Sequence, residues 1–189
     1  MSKSGKNNSV RIIGGDWRGR RLPVADVPGL RPSGDRSRET LFNWLQPSIH
    51  GAHCLDLFAG SGVLGLEAAS RGAAAVILVE KSSQATCDIR ESLLRLKADQ
   101  VELVEADALV WLTRCEPQTM DFVFIAPPFG TGLETQAMEL LTARDCVRRG
   151  GFIYVETSRE TPAPAPFPEW RLAKQKVIGE VRMQLLKKD

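Results

Sequence analysis

Residues 55–67 read Leu-Asp-Leu-Phe-Ala-Gly-Ser-Gly-Val-Leu-Gly-Leu-Glu, and this stretch decides the fold. It begins as an apolar strand and ends as an apolar helix. Between them Gly60, Gly62 and Gly65 follow the spacing G-x-G-x-x-G. Glycines there let the backbone turn tightly and approach a nucleotide-like ligand. The pattern alone does not separate a dinucleotide from another adenosine-containing cofactor.

Strand and helix signals alternate outward from this loop. Strand-like runs are expected over residues 53–58, 75–79, 101–104, 121–125 and 152–155. Helical patterns fall over 63–70, 82–97, 108–113 and 134–141. Such alternation predicts an α/β, Rossmann-like, doubly wound, mostly parallel sheet covered on both faces. Seven strands are expected once two β-type runs at 170–178 and 181–186 are added as a C-terminal antiparallel hairpin. The proline-rich segment 161–168 before them cannot be helical.

Upstream, Val10–Ile13, a Gly14-Gly15-Asp16 turn and Trp17–Leu22 predict a small N-terminal β-hairpin. A helix is expected from Asp35, read as its N-cap, to Pro47. The division that follows is a disordered basic tail over 1–9, a hairpin extension over 10–34 and a main domain over 35–189.

Hydrophobic residues make up 43% of the 189 and charged residues 25%, as in an ordinary globular protein. No apolar run is long enough for a membrane span. The four cysteines are widely spaced with no C-x-x-C, which argues against a zinc site or a disulfide framework and fits a reducing cytoplasm. The net charge of +2 is uneven. Residues 1–38 carry nine Lys/Arg against three Asp, and the rest carries sixteen Lys/Arg against twenty Asp/Glu. A basic end of this kind suits phosphate neutralisation on nucleic acid. Arg11, Arg18, Arg20, Arg21, Arg31, Arg36 and Arg38 are the candidate RNA contacts. Arg36 and Arg38, near Glu39, have a second use in shaping the cofactor pocket.

Three acids sharpen the glycine loop. Asp56 precedes it, Glu80 ends the next strand and Asp107 follows the third. Acids at that mouth repel a pyrophosphate and attract the sulfonium and ammonium of S-adenosylmethionine. Glu80 suits ribose hydroxyls, and Asp107 the adenine amino group. The candidate cofactor set is Asp56, Phe58, Ala59, Gly60, Ser61, Gly62, Glu80, Lys81, Asp107 and Ala108.

The fourth parallel strand ends in Ala126-Pro127-Pro128-Phe129, the candidate catalytic tip. An amino group on a base is a poor nucleophile, because its lone pair is delocalised. Two acceptors on its N–H bonds hold it against a methyl donor. Rigid prolines aim a carbonyl, and Phe129 offers a face on which a flipped base stacks.

This tip is similar to the Asp/Asn-Pro-Pro-Phe/Tyr motif of class I methyltransferases that act on amino or amide nitrogens. Together, RIIGGDWRGRRLPV (11–24), GLRPSGDRSRETLFNWL (29–45), LDLFAGSGVLGLEA (55–68) and APPF (126–129) resemble the bacterial RsmD-type family. The resemblance runs from about residue 10 to 186. It implies S-adenosylmethionine-dependent methylation of N2 of one guanine in small-subunit (16S) rRNA. It also implies an assembled or assembling subunit as partner, and a monomer that grips RNA with the hairpin and nearby arginines. Ala126 departs from the motif and removes one acceptor. The alternatives carried forward are a weakly catalytic RNA-binding or ribosome-assembly factor with the same fold, a DNA adenine-N6 methyltransferase and an NAD-dependent oxidoreductase.

Overall fold

The computed structural model describes residues 9–29, 32–162 and 167–189. Ser9–Arg11 (β1) and Arg21–Pro23 (β2) form a two-stranded antiparallel ribbon. Seven further strands make one sheet in the order β5-β4-β3-β6-β7-β9-β8. These are His53–Asp56 (β3), Ala75–Glu80 (β4), Val101–Glu105 (β5), Met120–Ile125 (β6), Val147–Ser158 (β7), Trp170–Ile178 (β8) and Val181–Lys188 (β9). The pairs among β3 to β7 are parallel, and β9 pairs antiparallel with both β7 and β8. The expected doubly wound, mostly parallel sheet with its C-terminal antiparallel hairpin is therefore present.

The apolar strands read as continuous because both faces are covered. On β6, Phe122 and Phe124 point into one core while Val123 and Ile125 point into the other. Asp35–Leu45 (α1), Val63–Ser70 (α2) and Ser83–Leu96 (α3) serve the first core. Ala108–Leu112 (α4) and Leu133–Ala143 (α5) serve the second. Phe42 of α1 meets Phe124 with ring centroids 6.1 Å apart, and Phe124 meets Tyr154 at 6.5 Å.

Several boundaries differ from expectation. The hairpin strands are three residues each, and residues 16–19 form the connecting turn instead of the expected returning strand from Trp17. Gly15 and Gly19 take positive φ there, which ends the ladder early. Gly34, not Asp35, holds the N-cap of α1, and its lack of a side chain leaves Asp35 in the first turn facing Arg38 and Arg11. Ser9, assigned to the tail, is in β1. Residues 1–8 of that tail and Arg31 lie outside the described residues.

All eight residues of α2 are buried, because the sheet covers one side and the N-terminal segment covers the other. Glu67 of α2 is fully buried and takes the N–H of Ile13 at 3.0 Å and of Gly14 at 2.7 Å. It also holds Arg38 at 3.2 Å and Arg71 at 2.9 Å. Ser70 adds a second clasp, accepting from Trp17 N–H and donating to the Gly14 carbonyl. Ile12, Leu22 and Val24 join the same core, so the ribbon is docked to the domain, and Trp17 rests against that core.

Candidate active site

Strand order reverses between β4 and β6 on either side of β3. Ligands of open α/β sheets bind at the carboxyl ends of the strands at such a point. A cavity of about 550 Å³ opens there. Its floor is the glycine loop, and its walls are the ends of β4, β5, β6 and β7.

The loop is shaped by conformations that suit glycine. Gly60 has φ +56° and Gly62 φ +76°, both in the left-handed region. Gly65 serves packing instead, since a Cβ there would stand 2.2 Å from Leu78 Cδ2. Nine of the ten proposed cofactor residues line the cavity; Gly62 does not, and its place is the N-cap of α2.

The acids do more than face a ligand. Glu80 accepts the N–H of Gly60 and of Ser82, both at 2.8 Å. Asp56 Oδ2 accepts the Gly65 N–H at 3.0 Å. Two loop amides that a pyrophosphate would need are thus occupied by carboxylates. Asp107 caps α4 through Leu109 and Val110, while its side chain still faces the cavity. Asp56 is 1% exposed, and burial pushes its carboxyl up to about 7, with Glu80 and Glu156 adding repulsion. Its Oδ1 and the Ser61 hydroxyl are buried without a hydrogen-bond partner. Unpartnered polar atoms in a buried cavity wall suit a ligand that brings donors and positive charge.

Ala126, Pro127, Pro128 and Phe129 form the opposite rim. Phe129 is 39% exposed, a large ring held at the mouth. Sequence reasoning missed two parts of this site. Residues 27–29 and 32–34 also line it, with Gly29 against Pro128. Their prolines and glycines signal only irregular backbone. Glu156 of β7 also lines the cavity, buried at 5% exposure. Burial pushes its carboxyl up, against the opposing effects of Tyr154, Ser33 and Arg38. An acid closing the apolar run 152–155 was the available signal.

The arginines divide. Arg11, Arg18, Arg20, Arg21 and Arg36 are exposed on the ribbon side of the molecule, outside the cavity. Arg38 is fully buried, so its assignment to RNA is corrected. Its guanidinium bonds Ser33 O, Arg11 O, Asp35 and Glu67, which leaves nothing for a phosphate. Among the described residues no group of three His, Cys, Asp or Glu is placed to hold a metal ion. No helix among them is long and apolar enough to cross a membrane.

The family model described as "Conserved hypothetical protein 95" matches residues 10–187. Ribosomal RNA small subunit methyltransferase D of Escherichia coli is 43% identical over 183 residues, 97% of this chain and 92% of its own length. The chain belongs to the RsmD-type family. The solved structure of yhhF from Escherichia coli is 41% identical, covers 96% of this chain and 99% of its own, and has a TM-score of 0.89. An RNA methyltransferase from Salinibacter ruber, solved with S-adenosyl-L-homocysteine, has a TM-score of 0.63 at 12% identity, over 82% of this chain and 92% of its own. That last likeness is one of fold. In this chain the Pro-Pro-Phe tip and the three acids share one cavity.

Proposed function

We propose that this protein transfers a methyl group from S-adenosylmethionine to the N2 amino group of a guanine in small-subunit (16S) rRNA, acting as a monomer in the cytoplasm. The observation that carries this reading is the shared cavity. The acids after β3, β4 and β5 meet the Pro-Pro-Phe tip after β6 across about 550 Å³. The names of the family's relatives support an rRNA substrate.

The cofactor, when bound, supplies an electrophilic methyl group. The chain's residues fit it: Asp56 Oδ1 and the Ser61 hydroxyl are buried without partners, and Asp56, Glu80 and Glu156 favour positive charge. The target guanine leaves its stack to enter the cavity. Phe129 offers the flipped base a ring face. The Pro127 carbonyl accepts one amino N–H, fixing the nitrogen's approach. Ala126 offers no second acceptor, which lowers the rate.

Exposed Arg11, Arg18, Arg20, Arg21 and Arg36, with Arg31, hold RNA phosphates, giving affinity and not sequence choice. Ala126 also favours a second reading, a factor that binds cofactor and RNA with weak turnover. Calorimetry with S-adenosylmethionine and NAD, then tritiated-methyl transfer to unmethylated small subunits, tests both readings. Binding of the first ligand alone with label in 16S rRNA supports the enzyme. Binding without label favours the weak factor, and binding of NAD alone refutes both.

A further inference from the structure

The sheet sets a second acid beside the strand tip. Ile125 pairs with Val155 in the parallel β6–β7 ladder. One residue further on, Ala126 and Glu156 are neighbours on strands about 4.8 Å apart, and both line the cavity. Glu156 Oε1 accepts the Tyr154 hydroxyl at 2.6 Å, which holds the carboxyl group in place. Arg38, the cation acting on it through space, already uses its nitrogens on Ser33, Arg11, Asp35 and Glu67. Ser33 also acts on the carboxyl as a hydrogen-bond partner, and with Tyr154 it takes two of a carboxylate's roughly four acceptor sites, so Glu156 has acceptor capacity left next to the rim where the amino group is held.

The edges of purines differ at this point. Guanine carries a ring N1–H beside its N2 amino group. 2-Aminopurine carries the same amino group beside a bare N1 lone pair. We propose that Glu156 is a specificity residue whose remaining carboxyl acceptor site takes the N1–H of the flipped guanine while its amino group sits at Pro127. This rests on the guanine reading above. The contact is buried, so a base without the N1–H leaves a desolvated acceptor unpaired and is rejected.

The test uses single-stranded RNA heptamers of uridine with a central guanosine, inosine or 2-aminopurine riboside, and an all-uridine control. Binding is measured by competition with S-adenosylhomocysteine present. The chain is compared with Glu156→Gln and Tyr154→Phe, each checked by thermal unfolding. Glutamine keeps an acceptor for Tyr154 but can donate to a bare N1. The chain is expected to favour guanosine over 2-aminopurine at least tenfold. Glu156→Gln should bring that ratio to about one or invert it, and should weaken inosine, which keeps the N1–H, as much as guanosine. Tyr154→Phe should keep the guanosine preference. Equal affinity of the chain for the two bases, or an unchanged ratio in Glu156→Gln, overturns the role of Glu156. A common loss of all affinities in both variants overturns it too, as a merely structural effect. If guanosine binds no better than the all-uridine control, the guanine reading itself fails, and this proposal with it.

Discussion

Two clusters of buried charge lie on opposite sides of α2, and they are finished differently. Around Glu67 every group is matched: Arg38, Arg71 and two backbone N–H groups surround one carboxylate. Around Asp56 and Glu156 the carboxyls repel each other, and Asp56 keeps an oxygen without a partner. Buried charge is costly unless paired, so the first cluster is a clamp and the second a seat for something that arrives later. One fastens the N-terminal ribbon to the domain, and the other leaves the strand ends ready for a cationic cofactor.

If this division holds, the largest effect belongs to the clamp. Glu67→Ala removes the buried partner of Arg38, leaving it only the half-exposed carboxylate of Asp35, strips two backbone N–H groups of their acceptor, and is expected to cost about 3–5 kcal/mol in urea unfolding. A loss below about 1 kcal/mol would show that the clamp is not one. The change in the opposite cluster has the opposite character. Ala126→Asp restores an acceptor at the rim and is expected to raise methyl transfer to small subunits at least tenfold, because one oriented group at such a site is worth about a hundredfold to a thousandfold. Equal rates would remove position 126 from the chemistry.

The third effect separates the clamp from the surface it carries. Replacing Arg11, Arg18, Arg20 and Arg21 with alanine should weaken subunit binding while leaving the cofactor affinity intact. The slope of log affinity against log salt should flatten by roughly one for each phosphate that no longer meets an arginine. An unchanged slope would mean that RNA is gripped elsewhere.

The smallest effect is a proton. Asp56 holds its proton up to about pH 7 in the folded chain, whereas an unfolded chain releases it near 3.8. The folded state therefore binds more protons in that window, and its stability falls as pH rises through it. A cationic ligand reverses the preference. S-adenosylmethionine should bind more tightly as pH approaches about 7 and release part of a proton, read by calorimetry in two buffers of different ionisation enthalpy. Asp56→Asn should abolish the release that Asp56 contributes. A release of the same size in that variant would assign the proton to Glu156, whose carboxyl burial also pushes up.

Much of this was legible in the residues. The alternation of strand and helix predicted the sheet, because buried parallel strands are apolar throughout and cannot be mistaken for half-exposed ones. The glycines, Asp56, Glu80, Asp107 and the Pro-Pro-Phe tip pointed to one crevice, because the topology brings strand ends together whatever lies between. What stayed hidden depended on neighbours distant in sequence. Arg38 looks like any basic residue at a helix start, and only Glu67, twenty-nine positions away, makes it internal. Glu156 joined the site through strand pairing with β6, a relation that periodicity does not report.

The order of the last strands has a consequence for synthesis. β9 follows β8 in the chain but lies inside it, paired with β7 on one side and β8 on the other. While residues 159–188 emerge from a ribosome, the backbone edge of β7 stays open. At about 5–20 residues per second that interval lasts on the order of a few seconds. Until β9 is made, β7 offers an unpaired edge to other chains, and the pairing of β9 along β7 closes it.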